Sequence, residues 1–570
     1  MNDVTPDLIA QIASRLYNEV PGAGSVPRSP NDFGTIPSLP VEAPTLPAMA
    51  ELRPGGMNSP TSSTTPEGVA GVISRAAQNV QSSATNTSPP ITSPASLPGF
   101  SSSGGDAHPL STVRAQPTST DGLRAFVEQI NTSHVHSEAG LCAGNNGLPK
   151  NSQSLWASKA TGLAHSRPLD VPAIRRDFPI LNQRIHGKPL AWFDNAATTQ
   201  KPQSVIDAIS RFYANDNSNI HRGAHTLAAR ATDAFEQARQ KVQTFLGASS
   251  SKEIIFVRGT TEGINLIAKT YGRKFLQPGD EIVLSTLEHH ANIVPWQMVA
   301  KETGAVIRVI PVTDRGEIMM EQYQSLLGSR TKIVSLAHAS NALGTLLPVH
   351  EMTQMAKRYN ARVLIDGAQS VAHVPVNMQQ LGADFYVFSG HKIFGPTGIG
   401  AVYAKEEVQE IMPPWQGGGN MIKNVTFEET TYSPPPAKFE AGTPNIADAV
   451  GLGAALDYVN RLGLPNIGKY EHQLLEYATE QLSRIDGVRL IGTAREKVGV
   501  LSFVLPERRT EDVGRALDQE GIAVRAGHHC AQPSLRRYGV EQTVRPSFSF
   551  YNTFEEIDRL ADAVRRIQRQ

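Results

Sequence analysis

The chain has 570 residues, with 53 Lys plus Arg against 53 Asp plus Glu. That balance removes the sequence-independent phosphate attraction of a nucleic-acid binder or a polybasic membrane anchor, and it favours a small or neutral partner. Two cysteines, Cys142 and Cys530, allow at most one disulfide, which excludes a cross-linked secreted framework and fits a reducing cytoplasm.

The opening "MNDVTPDLIAQIASRLYNEVPG" has Asp3 and Asp7 where an export signal needs positive charge, and no stretch of the chain reaches membrane-spanning length. Residues 1–165 are dominated by Ser, Thr, Pro and Gly, as in "SSATNTSPPITSPASLPGFSSSGG", a composition that cannot bury enough apolar area to offset the entropy of ordering. A disordered arm is expected there, interrupted by three short islands. In the first, Thr5 can N-cap, Pro6 suits the first helical position, and Leu8, Ile9, Ile12, Leu16 and Val20 recur at helical spacing up to Pro21 and Gly22. The second presents Val69, Val72, Ile73, Ala76 and Val80, and the third Leu123, Phe126, Val127 and Ile130. Each reads as a docking peptide, with folding back onto the catalytic body as the alternative. His134 and His136 have no further ligands at metal-binding spacing and read as solvated.

From about residue 168 the texture becomes that of an α/β enzyme. "EIIFVRG", "DEIVLST", "AVIRVIPV", "TKIVSLAH", "ARVLIDGA" and "ADFYVFSG" read as buried strands, and "ATDAFEQARQKVQTFLG" and "VHEMTQMAKRYN" as the helices between them, which predicts a large domain over 166–445 built on a mostly parallel sheet. Residues 446–570 read as a smaller α+β domain: helices in "GLGAALDYVNRLG" and "YEHQLLEYATEQLSRI", then strands in "GVLSFVLP" and "GIAVRAG".

The polar residues of interest fall just after the strands, where open α/β sheets bind ligands. Lys392 in "FSGHKIFGPTGIG", followed by glycines that let backbone approach a ligand, suits a Schiff base with an aldehyde cofactor. Asp366 in "LIDGAQS" can pair with a protonated pyridine nitrogen, and Gln369 can hydrogen-bond the ring's phenolic oxygen. Thr260 and Thr261 in "GTTEGIN" open a helix and offer a phosphate cradle that Ser389 and His391 can complete. His289 in "LEHHANIVPW" is a plate that can stack on the ring, and Asn341 in "HASNALGT" can reach its hydroxyl side. Each has a commonplace structural explanation. Together they describe pyridoxal phosphate, with no metal.

Cys530 stands in "RAGHHCAQP", where Arg525, His528 and His529 offer positive charge or proton acceptance favouring the thiolate. A zinc site and an inert buried thiol are the rival readings; zinc lacks a fourth ligand nearby, and burial poorly explains the polar neighbours.

With "FDNAATTQKP", "NIHRGAHTLA", "EHHANIVPWQ", "IDGAQS", "SGHKIFGPTGIG", "FEAGTPNI", "RAGHHCAQP" and "RPSFSFYNT" in this order, residues 168–570 resemble the class V, fold-type I pyridoxal-phosphate enzymes, and among them the Suf-type (group II) cysteine desulfurases. The resemblance implies that Lys392 carries the cofactor, Asp366 pairs with its ring nitrogen, and His289 stacks and shuttles protons. Thr261, Ser389 and His391 would bind phosphate, Arg545 the substrate carboxylate with Asn341 and Arg525 beside it, and Cys530 would be the nucleophile that keeps sulfur from L-cysteine as a persulfide. It further implies a homodimer in which His221, Arg222 and Thr443 serve the neighbouring site. The short, anchored setting of Cys530 implies a separate sulfur-acceptor protein, with iron–sulfur cluster assembly among the destinations. Selenocysteine lyases share this architecture, and an aminotransferase-like or kynureninase-like relative or a catalytically idle scaffold are further alternatives. The arm departs from the family pattern, and "IASRLYNEVPG" within its long Ser/Pro linker resembles the cargo-loading domains of desulfurases packaged in encapsulin shells, which would place the protein in a nanocompartment.

Overall fold

The computed structural model describes residues 168–570, Arg222 excepted. The Ser/Pro-rich arm, its three apolar islands, His134, His136 and Cys142 lie outside these residues.

The strands expected from the apolar runs form at the expected places and build one seven-stranded sheet. They are β1 (Ile254–Val257), β2 (Glu281–Ser285), β3 (Val306–Ile310), β4 (Thr331–Ala337), β5 (Arg362–Asp366) and β6 (Phe385–Ser389), joined by β7 (Gly400–Ala404), in the order β1-β7-β6-β5-β4-β2-β3. β2 runs parallel to β3 and β4, β4 to β5, and β5 to β6. β7 is antiparallel to both of its neighbours, so the sheet is mixed rather than parallel throughout.

Because side chains alternate across a strand, each strand feeds two cores. Val283, Tyr386 and Phe388 join one apolar cluster with Phe235, Ala238 and Val242 of α1 (Thr226–Leu246). Ile282, Leu284, Phe385 and Val387 join the other with Ile264, Leu266 and Ile267 of α2 (Thr260–Ile267). Helices therefore cover both faces, which is why most of these strands read as unbroken apolar runs; "AVIRVIPV", expected as a buried strand, is the exception, since β3 is an edge strand with Val306 and Val309 about half exposed. Local signals set the helix ends: the His225 side chain accepts from the Ala228 N–H to start α1, and Gly247 at φ 62° stops it.

A four-stranded antiparallel sheet follows, β8 (Arg489–Ile491), β9 (Ser502–Val504), β10 (Arg525–Gly527) and β11 (Thr543–Arg545), in the order β8-β9-β11-β10. Phe503 and Val544 share a core with Leu474, Leu475 and Leu482 from helix Leu464–Ser483, Val513 and Leu517 from helix Thr510–Gln519, and Ile557, Leu560 and Val564 from helix Phe554–Arg569. The segment "GIAVRAG", expected as one strand, is divided. Ile522–Ala523 pairs in parallel with Ala191–Trp192, and only Arg525–Gly527 enters the four-stranded sheet. Among the described residues no helix is long and apolar enough to cross a membrane.

Candidate active site

A cavity of about 520 Å³ opens where the carboxyl ends of β4, β5 and β6 meet the segment that follows β10. Lys392, Asp366, Gln369, His289, Asn341, Thr260, Thr261, Ser389 and His391 line it, together with Arg525, His528, His529, Cys530 and Arg545. His221 and Thr443 do not line it, and Arg222 lies outside the described residues. His221 instead bonds Glu236 Oε1 at 3.0 Å, a contact that raises its pKa, and Thr443 is exposed.

Lys392 sits on the 3-10 turn Gly390–Lys392 directly after β6. Desolvation in the cavity lowers its ammonium to about 8, with Asp366 pulling the other way and Arg545 reinforcing the drop. Asp366 closes β5, is 5% exposed, and accepts from the Ala368 N–H at 2.9 Å through Oδ1. Burial raises its pKa, with the Ala368 bond and the Lys392 charge opposing. A cationic ring nitrogen beside it would satisfy this carboxylate. Behind Asp366, Gly367 lies so close to Tyr386 that an added Cβ would fall 2.1 Å from the phenol ring.

At the opening of α2, the Thr260 N–H donates to Ser389 Oγ at 2.9 Å, and the two hydroxyls lie 2.9 Å apart. The expected cradle is thus preorganised, but Thr260 spends its backbone donor internally, so its hydroxyl and the neighbouring groups are what a phosphate would meet. Gly259 takes φ 156° at this point, and a Cβ there would stand 3.0 Å from Ser389 Oγ. Burial lowers the His391 imidazole to about 4, helped by the Lys392 and Lys201 charges.

His289 accepts from the Ala291 N–H at 3.0 Å through Nδ1, which places its proton on Nε2. Burial lowers it to about 3, with Lys392, His290 and Arg545 adding to the effect, so the ring is neutral near pH 7. Gln369 donates to the Ala196 carbonyl at 2.6 Å, leaving its second N–H and its oxygen for a ligand. Asn341 donates to the His529 carbonyl at 2.6 Å, while its Oδ1 is buried without a partner. Arg545 is 2% exposed and donates to the Asn341 carbonyl at 2.8 Å, yet its Nε is likewise buried and unpartnered. Two orphaned polar atoms of opposite character beside one cavity are what a polar ligand would satisfy. The cavity's amine, carboxylate, hydroxyl-lined helix start and orphaned donor and acceptor therefore fit pyridoxal phosphate.

Two residues of the site were not singled out in the sequence. Asp194 lies between the arginines: Arg525 Nη2 reaches its Oδ2 at 2.7 Å and Arg545 Nη2 its Oδ1 at 3.4 Å. The arginines are register partners on β10 and β11, so without this carboxylate two like charges would face each other. Lys201 bonds the turn that carries Lys392. Both belong to "FDNAATTQKP", and their signal was the presence of two charged residues in an otherwise uncharged segment.

Cys530 is half-buried, not enclosed, and both it and His529 adopt left-handed backbone, φ 53° each. Its N–H donates to His528 Nδ1 at 3.0 Å, and its carbonyl accepts from the His290 N–H at 2.8 Å. The His290 and His528 rings stack with centroids 5.8 Å apart. Of the positive charge or proton acceptance expected of His529, the structure speaks against the charge. Its Nε2 bonds Thr543 in β11, at 2.8 Å from Oγ1, and burial holds the ring down to about 2, so it is neutral and structural. Among the described residues no group of three or more His, Cys, Asp or Glu side chains converges as metal ligands.

Residues 191–560 match the family model described as aminotransferase class-V. The chain is 65% identical over 398 residues to a probable cysteine desulfurase of Mycolicibacterium paratuberculosis, a match that covers 70% of this chain and 58% of that protein. It thus spans less than two thirds of that relative's length. It is 50% identical over 403 residues to a cysteine desulfurase of Dickeya dadantii, covering 70% of this chain and 97% of that one. Among solved structures it resembles the cysteine desulfurase CsdA, S-sulfonic acid form, from Escherichia coli, with a TM-score of 0.65 and 39% identity over 70% of this chain and 98% of that chain.

Proposed function

Because the chain belongs to the class-V aminotransferase family, with the fold of type I pyridoxal-phosphate enzymes, we propose that it is a cysteine desulfurase, turning L-cysteine into L-alanine and holding the sulfur as a persulfide on Cys530. One observation carries this reading: Lys392, Asp366 and the half-buried thiol of Cys530 line the same cavity. The high identity to proteins named cysteine desulfurases supports it.

Pyridoxal phosphate, held through Lys392, supplies an electron sink that stabilises the charge left on the substrate's α-carbon and loosens its Cβ–Sγ bond. Asp366 holds the proton of the ring nitrogen by its negative charge. Thr261, Ser389 and His391 hold the phosphate, and Gln369 and Asn341 orient the ring. Arg545, kept in place by Asp194 and the Asn341 carbonyl, binds the substrate carboxylate, and Arg525 adds a second positive charge at the mouth. The Lys392 amine, released when the substrate's amine takes its place and lowered to about 8 by burial, takes the α-proton. His289, neutral with its proton on Nε2, is a hydrogen-bond donor to the cavity and not a cation. Cys530 Sγ bonds the substrate sulfur as the Cβ–Sγ bond breaks, and the carbon skeleton takes up protons and leaves as alanine.

The short, tethered setting of Cys530, fixed by His528 and His290, supports a Suf-type enzyme that passes its persulfide to a separate acceptor protein. The reading includes a large domain over 166–445, a smaller one over 446–570, and a homodimer in which His221, Arg222 and Thr443 serve the neighbouring site. Residues 1–165, by their sequence, are assigned to capture by an encapsulin shell. Incubation of the purified protein with L-cysteine and a reductant tests the central activity: equimolar alanine and sulfide are expected, and neither product would appear if the reading is wrong.

A further inference from the structure

The carbonyl oxygen of His391, in the peptide that joins it to Lys392, accepts four hydrogen bonds from one short segment. The donors are the Thr199 N–H at 3.0 Å, Thr198 Oγ1 at 3.0 Å, Thr199 Oγ1 at 3.2 Å and Lys201 Nζ at 3.2 Å. A carbonyl has two lone pairs, so four donors around one oxygen mark a point that the fold over-determines. The same segment also holds the next residues: Thr199 Oγ1 accepts from the Phe394 N–H at 2.8 Å. From the other side, the Gly390 N–H donates to Ile399 at 2.8 Å.

Lys201 stands out among the donors. Its ammonium bonds Thr198 Oγ1 at 3.3 Å, the Thr199 carbonyl and the His391 carbonyl, all neutral oxygens. Burial lowers its pKa to about 8. A lysine used only for solubility would turn its charge to water. This one gives up hydration to bond three neutral oxygens, the His391 carbonyl among them.

We propose that Lys201 is a positioning residue for Lys392: with Thr198 and Thr199 it fixes the His391 carbonyl, and with it the main chain from which the Lys392 amine reaches into the cavity. The Lys392 side chain has four rotatable bonds, so the place of its Cα decides where the amine can go, and small displacements at a reacting atom are costly. The charge of Lys201 also helps keep the neighbouring His391 imidazole neutral. The proposal rests on the reading that Lys392 carries pyridoxal phosphate.

The test uses purified holoenzyme with Lys201→Met and Lys201→Arg beside the wild type. Its readouts are the loss of the lysine-bound chromophore during dialysis and the pH midpoint of that chromophore's absorbance. Lys201→Met is expected to lose cofactor about tenfold faster, the worth of one charge-assisted hydrogen bond, and to shift the midpoint. Lys201→Arg, which keeps a cationic donor, is expected to recover both. Thr198→Val, which removes a single hydroxyl donor, is expected to move the midpoint in the same direction by less, and serves if Lys201→Met does not fold. Retention and midpoint unchanged in both Met and Val variants, or a defect that Lys201→Arg does not relieve, overturns the proposal. A wild-type protein that forms no chromophore on Lys392 overturns the cofactor reading instead.

Discussion

The backbone N–H of His290 donates to the carbonyl of Cys530 at 2.8 Å, so the segment carrying the proposed nucleophile is tied to the segment carrying His289. The tie is reinforced from the next turn, where the Gln532 N–H donates to His290 Nε2 at 3.3 Å. The thiol therefore belongs to the cavity wall, and its reach is set by backbone in left-handed conformation at His529 and Cys530.

The lowered pKa of Lys392 gives a direct kinetic expectation. With a value of about 8, about a tenth of the amine is unprotonated at pH 7, against fewer than about one in a thousand at an ordinary lysine. Capture of pyridoxal phosphate by the apoprotein should speed up with pH and level off somewhat above about 8. Stopped-flow absorbance measures this, and a rate still climbing near pH 10 would contradict the burial of the amine.

Asp194 separates two arginines that face each other across β10 and β11. Asp194→Asn keeps the shape and removes the charge, leaving Arg545 buried beside a like charge. The expected result is a KM for L-cysteine raised about tenfold with a smaller effect on kcat, and a loss of about 3 kcal/mol in stability as for other broken buried pairs. Steady-state kinetics and denaturant melts check both; an unchanged KM would mean that Arg545 does not meet the substrate carboxylate.

The buried histidines set how the apoprotein responds to acid. His289, His338, His391 and His529 are held below their ordinary 6.5, at about 3, 4, 4 and 2, mainly by burial. Below pH 6.5 the unfolded chain takes up these protons and the folded chain does not, so stability falls as pH drops from about 6.5 toward 5. Glu288, raised to about 7 by burial, works the other way, because its folded form holds a proton that the unfolded form has lost. Asp366 and His221, both raised, act in the same sense as Glu288, and the lowered His290 adds to the histidines; the four deeply lowered rings outweigh the raised groups over this window. Thermal melts of the apoprotein at pH 7, 6 and 5 should show a falling midpoint, and a rising one would contradict the burial of the rings.

The arm makes a separate prediction. Residues 1–165 fused to an unrelated fluorescent protein should be captured when co-expressed with the cognate shell, and removal of the first island, residues 5–22, should weaken capture. A reporter that stays outside assembled shells would end the encapsulin reading without touching the chemistry.

Much of this was legible in the sequence, for physical reasons that also explain the gaps. Five of the six strands are buried nearly throughout, so they appear as apolar runs ended by polar residues, and Asp366, Ser389 and Lys392 stand at or just after the ends of such runs; the edge strand β3 is similarly apolar in sequence but is largely exposed. β7 was not recognised because it begins at the last glycine of the glycine-rich "GPTGIG", and its antiparallel sense depends on pairing with β1 and β6. The division of "GIAVRAG" is equally non-local, since it takes the distant Ala191–Trp192 to pull Ile522 and Ala523 out of the smaller sheet. Asp194 and Lys201 gain their roles only through contacts with residues some 190 to 350 positions away. His529 shows the converse. Beside a cysteine it looked like an electrostatic partner, yet its ring is bonded to Thr543; adjacency in sequence does not decide direction in space.

Whether Cys530 takes the sulfur is decided most directly by intact-mass spectrometry of the holoenzyme after brief exposure to L-cysteine without reductant. A mass increase of one sulfur atom, mapped to the peptide containing residue 530 and absent from Cys530→Ser, which should still hold its yellow cofactor, is the result expected. Unmodified Cys530 with alanine nonetheless formed, or equal sulfide release by the serine variant, would contradict the account.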